Sequence, residues 1–290
     1  MAEKQREQGV VNLKILITGA KGQLGKAFIQ YFNNENIQHI PVDHLTLDIT
    51  NLNKMRDFLK GHHFTHIINC AAYNNVDKAE EDWQSAFNVN GLGVRNLALC
   101  ANENDCELIH YSSDYVFSGK KRHYTIANRT DPINKYGESK VLGEKFFDMA
   151  QKGYLIRVSW LFGEGPQNFI TKVINWSRKE KVLRIVDDEI SSPTYTVDLV
   201  QVTTEIMNMK AYGLYHITNT PASRYDWADL ILKEIEWKGT LLKAKRADFN
   251  LPAKRPGVSV LDNFGLAETT GRKMRDWREA MREFFRDTRN

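Results

Sequence analysis

Little in this sequence would fix a fold by covalent or metal cross-links. Only three cysteines (Cys70, Cys100, Cys106) occur in 290 residues, an odd number without metal-ligand spacing. That argues against a disulfide scaffold or a zinc site, and fits a reducing cytoplasm in which each thiol is a small buried apolar group. No run of about 18 apolar residues is present, so no transmembrane helix is expected. The first nine residues, Met1 to Gly9, are polar and lack the apolar core of a signal peptide. Residues 1 to 12 read as a flexible tail.

Charge of one sign is not in excess either. Lys and Arg number 40 against 36 Asp and Glu, a net charge of +4. That balance excludes a dedicated nucleic-acid binder, whose basic residues concentrate in one stripe. The short clusters Lys120-Lys121-Arg122 and Arg272-Lys273-Met274-Arg275 read as solvated faces. Repeats and low-complexity tracts are also missing. What remains, 42% apolar and 26% charged, is an ordinary globular composition long enough to bury a full core.

The pattern that is present alternates strands with helices. Leu13 to Thr18, Ile37 to Val42, Thr65 to Cys70, Glu107 to Tyr111 and Tyr154 to Ser159 are short apolar runs that read as strands. Between them, helices are expected from Leu24, over Leu52 to Leu59, from Gln84 to Asn102, and over Tyr136 to Met149. This predicts an α/β fold of Rossmann type, a doubly wound parallel sheet with ligands at the carboxyl ends of its strands. After Trp160 the rhythm weakens. Residues 13 to 160 read as a dinucleotide-binding domain and 161 to 290 as mainly a smaller mixed α/β substrate-binding region, with a soft boundary that the chain can cross back.

Two motifs carry chemistry. Gly19-Ala20-Lys21-Gly22-Gln23-Leu24-Gly25 lies between the first strand and the first helix. Its glycines Gly19, Gly22 and Gly25 suit a tight turn, a close approach to a pyrophosphate and close helix–strand packing. Asp43 ends the second strand, where a carboxylate can accept adenosine ribose hydroxyls and repel a 2′-phosphate. That favours NADH, with Lys21 and His44 placed to offset it; a loop carboxylate or a cap is the alternative role.

Tyr136 and Lys140 stand four apart on one helix face, and Tyr136 is alone among eleven tyrosines in having that partner. A nearby ammonium is expected to lower the phenol pKa and prepare it for proton transfer. Ser113, at the end of the fourth strand, adds a hydroxyl beside the same cleft, which predicts a Ser-Tyr-Lys oxidoreductase site.

These residues resemble the extended short-chain dehydrogenase/reductase superfamily and, within it, the family of dTDP-4-dehydrorhamnose reductases. The resemblance spans Lys14 to Phe285. It rests on the glycine motif, Asn69-Cys70-Ala71-Ala72-Tyr73, Val76-Asp77-Lys78-Ala79-Glu80, Ser113-Asp114-Tyr115-Val116-Phe117 and Tyr136-Gly137-Glu138-Ser139-Lys140. It continues through Arg157-Val158-Ser159-Trp160-Leu161-Phe162-Gly163 and Ser192-Pro193-Thr194, to Arg255-Pro256-Gly257-Val258-Ser259-Val260-Leu261-Asp262.

The resemblance implies NADPH or NADH as cofactor, a nucleotide-sugar substrate and a possible homodimer. It places Gly22, Gln23 and Leu24 against the pyrophosphate, Asp48 and Ile49 near the adenine, and Ala71, Ala72, Tyr73, Asn74 and Tyr111 near the cofactor. Tyr136 becomes the proton donor, Lys140 the ribose contact, and Ser113 the group that polarises the ketone. Asp114 and Trp160 fall beside the sugar, and Arg255 is a candidate for the substrate diphosphate. The sequence departs from the family pattern at Ser113 and Asn74, where threonine is usual. It also departs in Asp188-Glu189-Ile190-Ser191-Ser192-Pro193-Thr194, where Asp-Gln-x-Gly-x-Pro-Thr is usual. An epimerase or dehydratase of the same superfamily, and a non-catalytic dinucleotide-binding subunit, are the alternatives. Intact Ser113, Tyr136 and Lys140 speak against the latter.

Overall fold

A computed structural model describes residues 13–165 and 168–289. The tail expected over residues 1 to 12 lies outside them. Five strands run in parallel: β1 (Lys14–Thr18), β2 (Gln38–Val42), β3 (His66–Asn69), β4 (Glu107–Ser113) and β5 (Gly153–Val158). Shorter strands follow: β6 (Leu161–Phe162), β7 (Val182–Val186), β8 (Ile190–Ser191) and β9 (Thr194–Tyr195). Then come β10 (Gly213–His216), β11 (Ala222–Ser223) and β12 (Thr240–Ala244). The main sheet has the order β2-β1-β3-β4-β5-β10, so the chain reverses direction across the sheet between β1 and β3. Its sixth strand comes from residues well beyond Trp160 and pairs in parallel with β5.

Helices cover both faces, which is why the strands are apolar on both sides. On one face α1 (Gln23–Asn34) buries Phe28 and Phe32 and packs with α7 (Thr196–Asn208) against Ile15, Ile17 and Ile109. On the other, α2 (Leu52–Lys60) and α4 (Gly93–Glu103) join Leu16, Ile67 and Leu108. The alternation of Ile15, Leu16 and Ile17 between two cores follows from the two-residue period of a strand.

The expected helix from Gln84 to Asn102 is interrupted. It consists of α3 (Trp83–Phe87), a π-helical turn over Asn88–Leu92, and α4. The helix α5 (Lys135–Phe147) starts at Asn134, whose side chain accepts from the Gly137 amide at 2.7 Å. A Cβ on Gly137 would lie 2.3 Å from the Tyr115 carbonyl oxygen, so only glycine lets α5 begin this close to the tip of β4.

The remaining helices, α6 (Phe169–Lys179), α8 (Arg224–Glu234), α9 (Leu266–Thr270) and α10 (Trp277–Arg289), come after β5 in the chain. Of these, α6, α8 and α10 build a separate core around Phe162, Val173, Trp227, Ile231 and Trp277. It sits beyond the carboxyl end of β5 and faces the ends of the sheet across a cleft. Cys100 and Cys106 are buried, as expected, and burial pushes both thiols up to about 11, which keeps them inert; Cys70, just after β3, is only half-buried. Among the described residues no helix is long and apolar enough to cross a membrane.

Candidate active site

The chain leaves β1 through Gly19, whose φ of +67° and close approach to β3 demand glycine: a Cβ would lie 2.5 Å from the Ala71 nitrogen. The Gly22 amide closes the turn onto the Gly19 carbonyl at 2.9 Å, and Gly25 packs so tightly that its Cβ would meet that same oxygen at 2.5 Å. Gly22 caps α1 without a side-chain acceptor, and no acidic residue stands in the first turn. Neither its cap nor its own first turn neutralises the positive end of the helix, which suits a pyrophosphate. Leu24 turns its side chain into the core, so only its main chain can face a phosphate. The Gln23 side chain accepts from Asn168 at 3.3 Å, joining this turn to the segment before α6.

The Asp43 carboxylate is half occupied with its own turn. One oxygen accepts from the amides of Leu45 and Thr46, each at 3.0 Å, and the other pairs with Lys21. The Lys21 ammonium and the Thr46 amide hold its pKa well below the usual carboxylate range. Its charge is thus balanced by Lys21. Asp48 likewise caps a turn by accepting from Thr50 at 2.9 and 2.8 Å, while Ile49 is buried against Gly93. Ala71 leaves β3 with its amide on Asn69 Oδ1 at 3.2 Å.

Ser113, Tyr136 and Lys140 converge at the tip of β4. Tyr136 is buried and lies edge-on to Tyr115, with ring centroids 5.6 Å apart. Burial pushes its phenol up to about 12, opposed by a hydrogen bond with Ser113 and reinforced by the Asp114 charge. The lowered phenol pKa expected from the Tyr/Lys spacing is therefore not found. Burial outweighs the other influences on the ring, and Lys140 Nζ donates instead to the Tyr111 carbonyl oxygen at 2.6 Å. Burial pulls Lys140 itself down to about 8, against the stabilising charge of Glu144 one turn further along α5. Glu144 in turn is held by Arg157 at 2.7 and 2.8 Å.

The other expected residues divide into two groups. Ala72, Tyr73, Asn74, Trp160 and Arg255 line a cleft of about 1830 Å³ between the strand ends and the second core. Asp114 does not. It is 2% exposed, and its carboxylate accepts from Ser113 at 3.1 Å, Ser191 at 2.9 Å and Ser259 at 2.6 Å. Tyr111 is also buried, its hydroxyl 2.9 Å from that of Thr203, and only its carbonyl reaches the site. Arg255 faces the cleft with its guanidinium forked onto Asp77 at 2.6 and 3.0 Å. Trp160 stacks on Trp227 with centroids 5.7 Å apart. Its φ of +43° is a strained value for so bulky a residue.

Two features escape sequence reasoning. Asn90, inside the π-helical turn, accepts from the Tyr73 amide at 2.9 Å and donates to the Tyr73 carbonyl at 3.0 Å and to Ser139 at 2.9 Å. It thereby fixes the loop after β3 against α5. Arg224 pairs with Glu189 at 3.3 Å beside Trp160. Glu189 carries a visible signal, a carboxylate where the family pattern has glutamine; Arg224 carries none.

A parallel sheet whose order reverses beside a glycine turn, with a serine, a tyrosine and a lysine gathered at the neighbouring strand tip, defines a dinucleotide-dependent oxidoreductase of the extended short-chain dehydrogenase/reductase class. Comparison with known proteins narrows the class. Residues 13–290 match the family described as RmlD substrate binding domain. The chain is 34% identical to a dTDP-4-dehydrorhamnose reductase of Aggregatibacter actinomycetemcomitans, over 93% of this chain and 97% of that one. It is 32% identical to the spore coat polysaccharide biosynthesis protein SpsK of Bacillus subtilis, over 94% and 97%. The crystal structure of a Bacillus anthracis dTDP-4-dehydrorhamnose reductase in complex with NADP superimposes with a TM-score of 0.92 at 33% identity, covering 95% of this chain and 99% of that chain. The chain belongs to the dTDP-4-dehydrorhamnose reductase family.

Proposed function

We propose that this enzyme reduces the 4-keto group of dTDP-4-dehydro-L-rhamnose to give dTDP-L-rhamnose, a precursor of surface polysaccharide, with NADPH as the preferred coenzyme and NADH as the alternative. The observation that carries the reading is the convergence of Ser113, Tyr136 and Lys140 at the tip of β4, with Tyr136 buried and Lys140 anchored on the Tyr111 carbonyl one turn along the same helix. NADPH, when bound, supplies the hydride to the ketone carbon.

The chain supplies position and a proton. Uncapped amides at the start of α1 hold the pyrophosphate, with Gly22 leaving room for it. Lys140 spends one N–H on Tyr111 and offers the others to the nicotinamide ribose. Tyr136, kept neutral by burial, is in the correct form to donate a proton to the developing alkoxide. The Ser113 hydroxyl stands beside that oxygen and donates to it when its single O–H turns from the Asp114 carboxylate to the substrate. Asp114 serves as a buried strut: it joins Ser113 to Ser191 and Ser259 from two distant segments and so fixes the serine rotamer.

In the same reading, residues 13–160 chiefly hold the coenzyme and residues 161–290 chiefly shape the sugar side of the cleft. The protein acts in the cytoplasm, and it assembles as a homodimer. The test is oxidation of NADPH in the presence of dTDP-4-dehydro-L-rhamnose by wild type and Tyr136→Phe. Turnover that is lost in the variant supports the reading, and no turnover with either coenzyme refutes it.

A further inference from the structure

Arg224 opens α8, directly after its cap Ser223, and its position is fixed from three sides. Its amide donates to the Glu189 carbonyl at 3.1 Å and its Nε to the Glu189 carboxylate at 3.3 Å. Its guanidinium carbon lies 3.6 Å from the centre of the Trp160 ring, 4.9 Å from that of Phe169 and 5.5 Å from that of Trp227. The Arg224 side chain is 18% exposed and that of Glu189 9%. A guanidinium in this setting has lost its freedom before any ligand arrives. Among the described residues its two terminal nitrogens have no hydrogen-bond partner, and both Arg224 and Glu189 line the cleft.

The pair sits near the reacting end of that cleft. Glu189 stands two residues before Ser191, which donates to Asp114 at 2.9 Å beside Ser113, and the same cleft is lined by Tyr115, which packs against Tyr136. The chemistry of the pair favours a neutral polyol over an anion. Glu189 cancels the charge of Arg224 and would repel a phosphate brought to the same place. A hydroxyl, by contrast, accepts from the guanidinium and donates to the carboxylate at once. The phosphates have other cations: Lys172 and Lys254 line the same cleft and form no ion pair with a carboxylate among the described residues.

We infer that Arg224, held by Glu189 and stacked on Trp160, is a specificity-determining contact for the ring hydroxyls of the sugar. The inference rests on the proposed nucleotide-sugar reductase and names which part of its substrate this pair reads. Because the donors are largely desolvated, a ligand that cannot satisfy them is penalised.

The test is calorimetric binding of dTDP-L-rhamnose and of dTDP to the full chain with NADP, for wild type, Arg224→Met and Glu189→Gln. Methionine keeps a flexible apolar side chain on Trp160 but removes the donors. Arg224→Met is expected to weaken dTDP-L-rhamnose by roughly 10- to 100-fold, as for loss of a charged hydrogen bond, and to leave dTDP unchanged. Glu189→Gln is expected to give a smaller loss of the same pattern. Unchanged dTDP binding also shows that the variant is folded; should Arg224→Met not fold, Glu189→Gln decides alone. Equal weakening of both ligands would move Arg224 to the nucleotide and overturn the inference, as would no weakening of either. A wild type that binds dTDP-L-rhamnose but fails to reduce the 4-keto sugar would remove the catalytic reading and leave this contact standing. A wild type that binds neither ligand would overturn both.

Discussion

The ammonium of Lys140 donates to the carbonyl oxygen of Tyr111 at 2.6 Å, which ties α5 to β4 two residues before Ser113. That bond sets the distance between the helix carrying Tyr136 and the strand carrying Ser113. The phenol pKa is governed by burial.

A pH dependence follows. Tyr136, pushed up to about 12, stays protonated through the neutral range, whereas Lys140, pulled down to about 8, loses its charge just above it. For the enzyme before it binds coenzyme, kcat/KM for NADPH is expected to hold level below about pH 8 and to fall above it. A level profile up to pH 10 would contradict the assignment of Lys140 as the ribose contact.

Stability should move the other way. Lys140 has a folded pKa of about 8 against an ordinary value of 10.5, so the unfolded chain binds more protons between these limits. The cost of burying the charge is fully present below pH 8 and is relieved as the pH rises toward 10.5. Lys140→Met should therefore be at least as stable as wild type in urea at pH 7, by about 1–3 kcal/mol, while activity drops by about 100-fold or more.

Asp114 offers a separate check on the strut. Asp114→Ala leaves three buried hydroxyls with one acceptor fewer each and should cost about 2–4 kcal/mol in chemical denaturation. Asp114→Asn keeps the shape and should retain most of the fold. In that variant kcat is expected to fall more than KM rises, because Ser113 loses its orientation while the cleft wall is untouched. A rise in KM alone would place Asp114 at the sugar instead.

In the proposed reading, the Lys21–Asp43 pair sets coenzyme choice. Removing the lysine leaves the Asp43 carboxylate unopposed, so Lys21→Ala should shift the ratio of kcat/KM for NADPH over NADH toward NADH by about 2- to 5-fold at low salt. Asp43→Asn should shift it the opposite way. Steady-state rates with both coenzymes decide this, and an unchanged ratio in both variants would remove the pair from coenzyme selection.

Much of the fold was legible because it is written in local patterns. The five strand runs before Trp160, the glycine turn and the Tyr136/Lys140 spacing are all contained within short windows. What escaped depends on residues far apart in the chain. Asp114 reads as a cleft residue until Ser191 and Ser259 arrive from 77 and 145 residues away. Arg255 reads as an unpaired cation until Asp77 meets it across 178 residues. The π-helical turn that aims Asn90 at Tyr73 shares its apolar period with the helices on either side, so periodicity alone shows one continuous helix. The segment Gly213 to Ile217 reads as a short element of the second region; that its strand Gly213–His216 completes the main sheet escaped, because nothing local in it specifies the neighbour with which it pairs.

The central claim is that Tyr136 donates the proton that completes reduction of a dTDP-linked 4-keto sugar. Loss of NADPH absorbance with enzymatically prepared dTDP-4-dehydro-L-rhamnose, followed for wild type and Tyr136→Phe at pH 7, tests it most directly. The account predicts rapid oxidation by wild type and a loss of about 100- to 10,000-fold in kcat for the variant, with NADPH still bound. Equal rates in the two proteins, or no oxidation by a wild type that binds NADPH tightly, would contradict it.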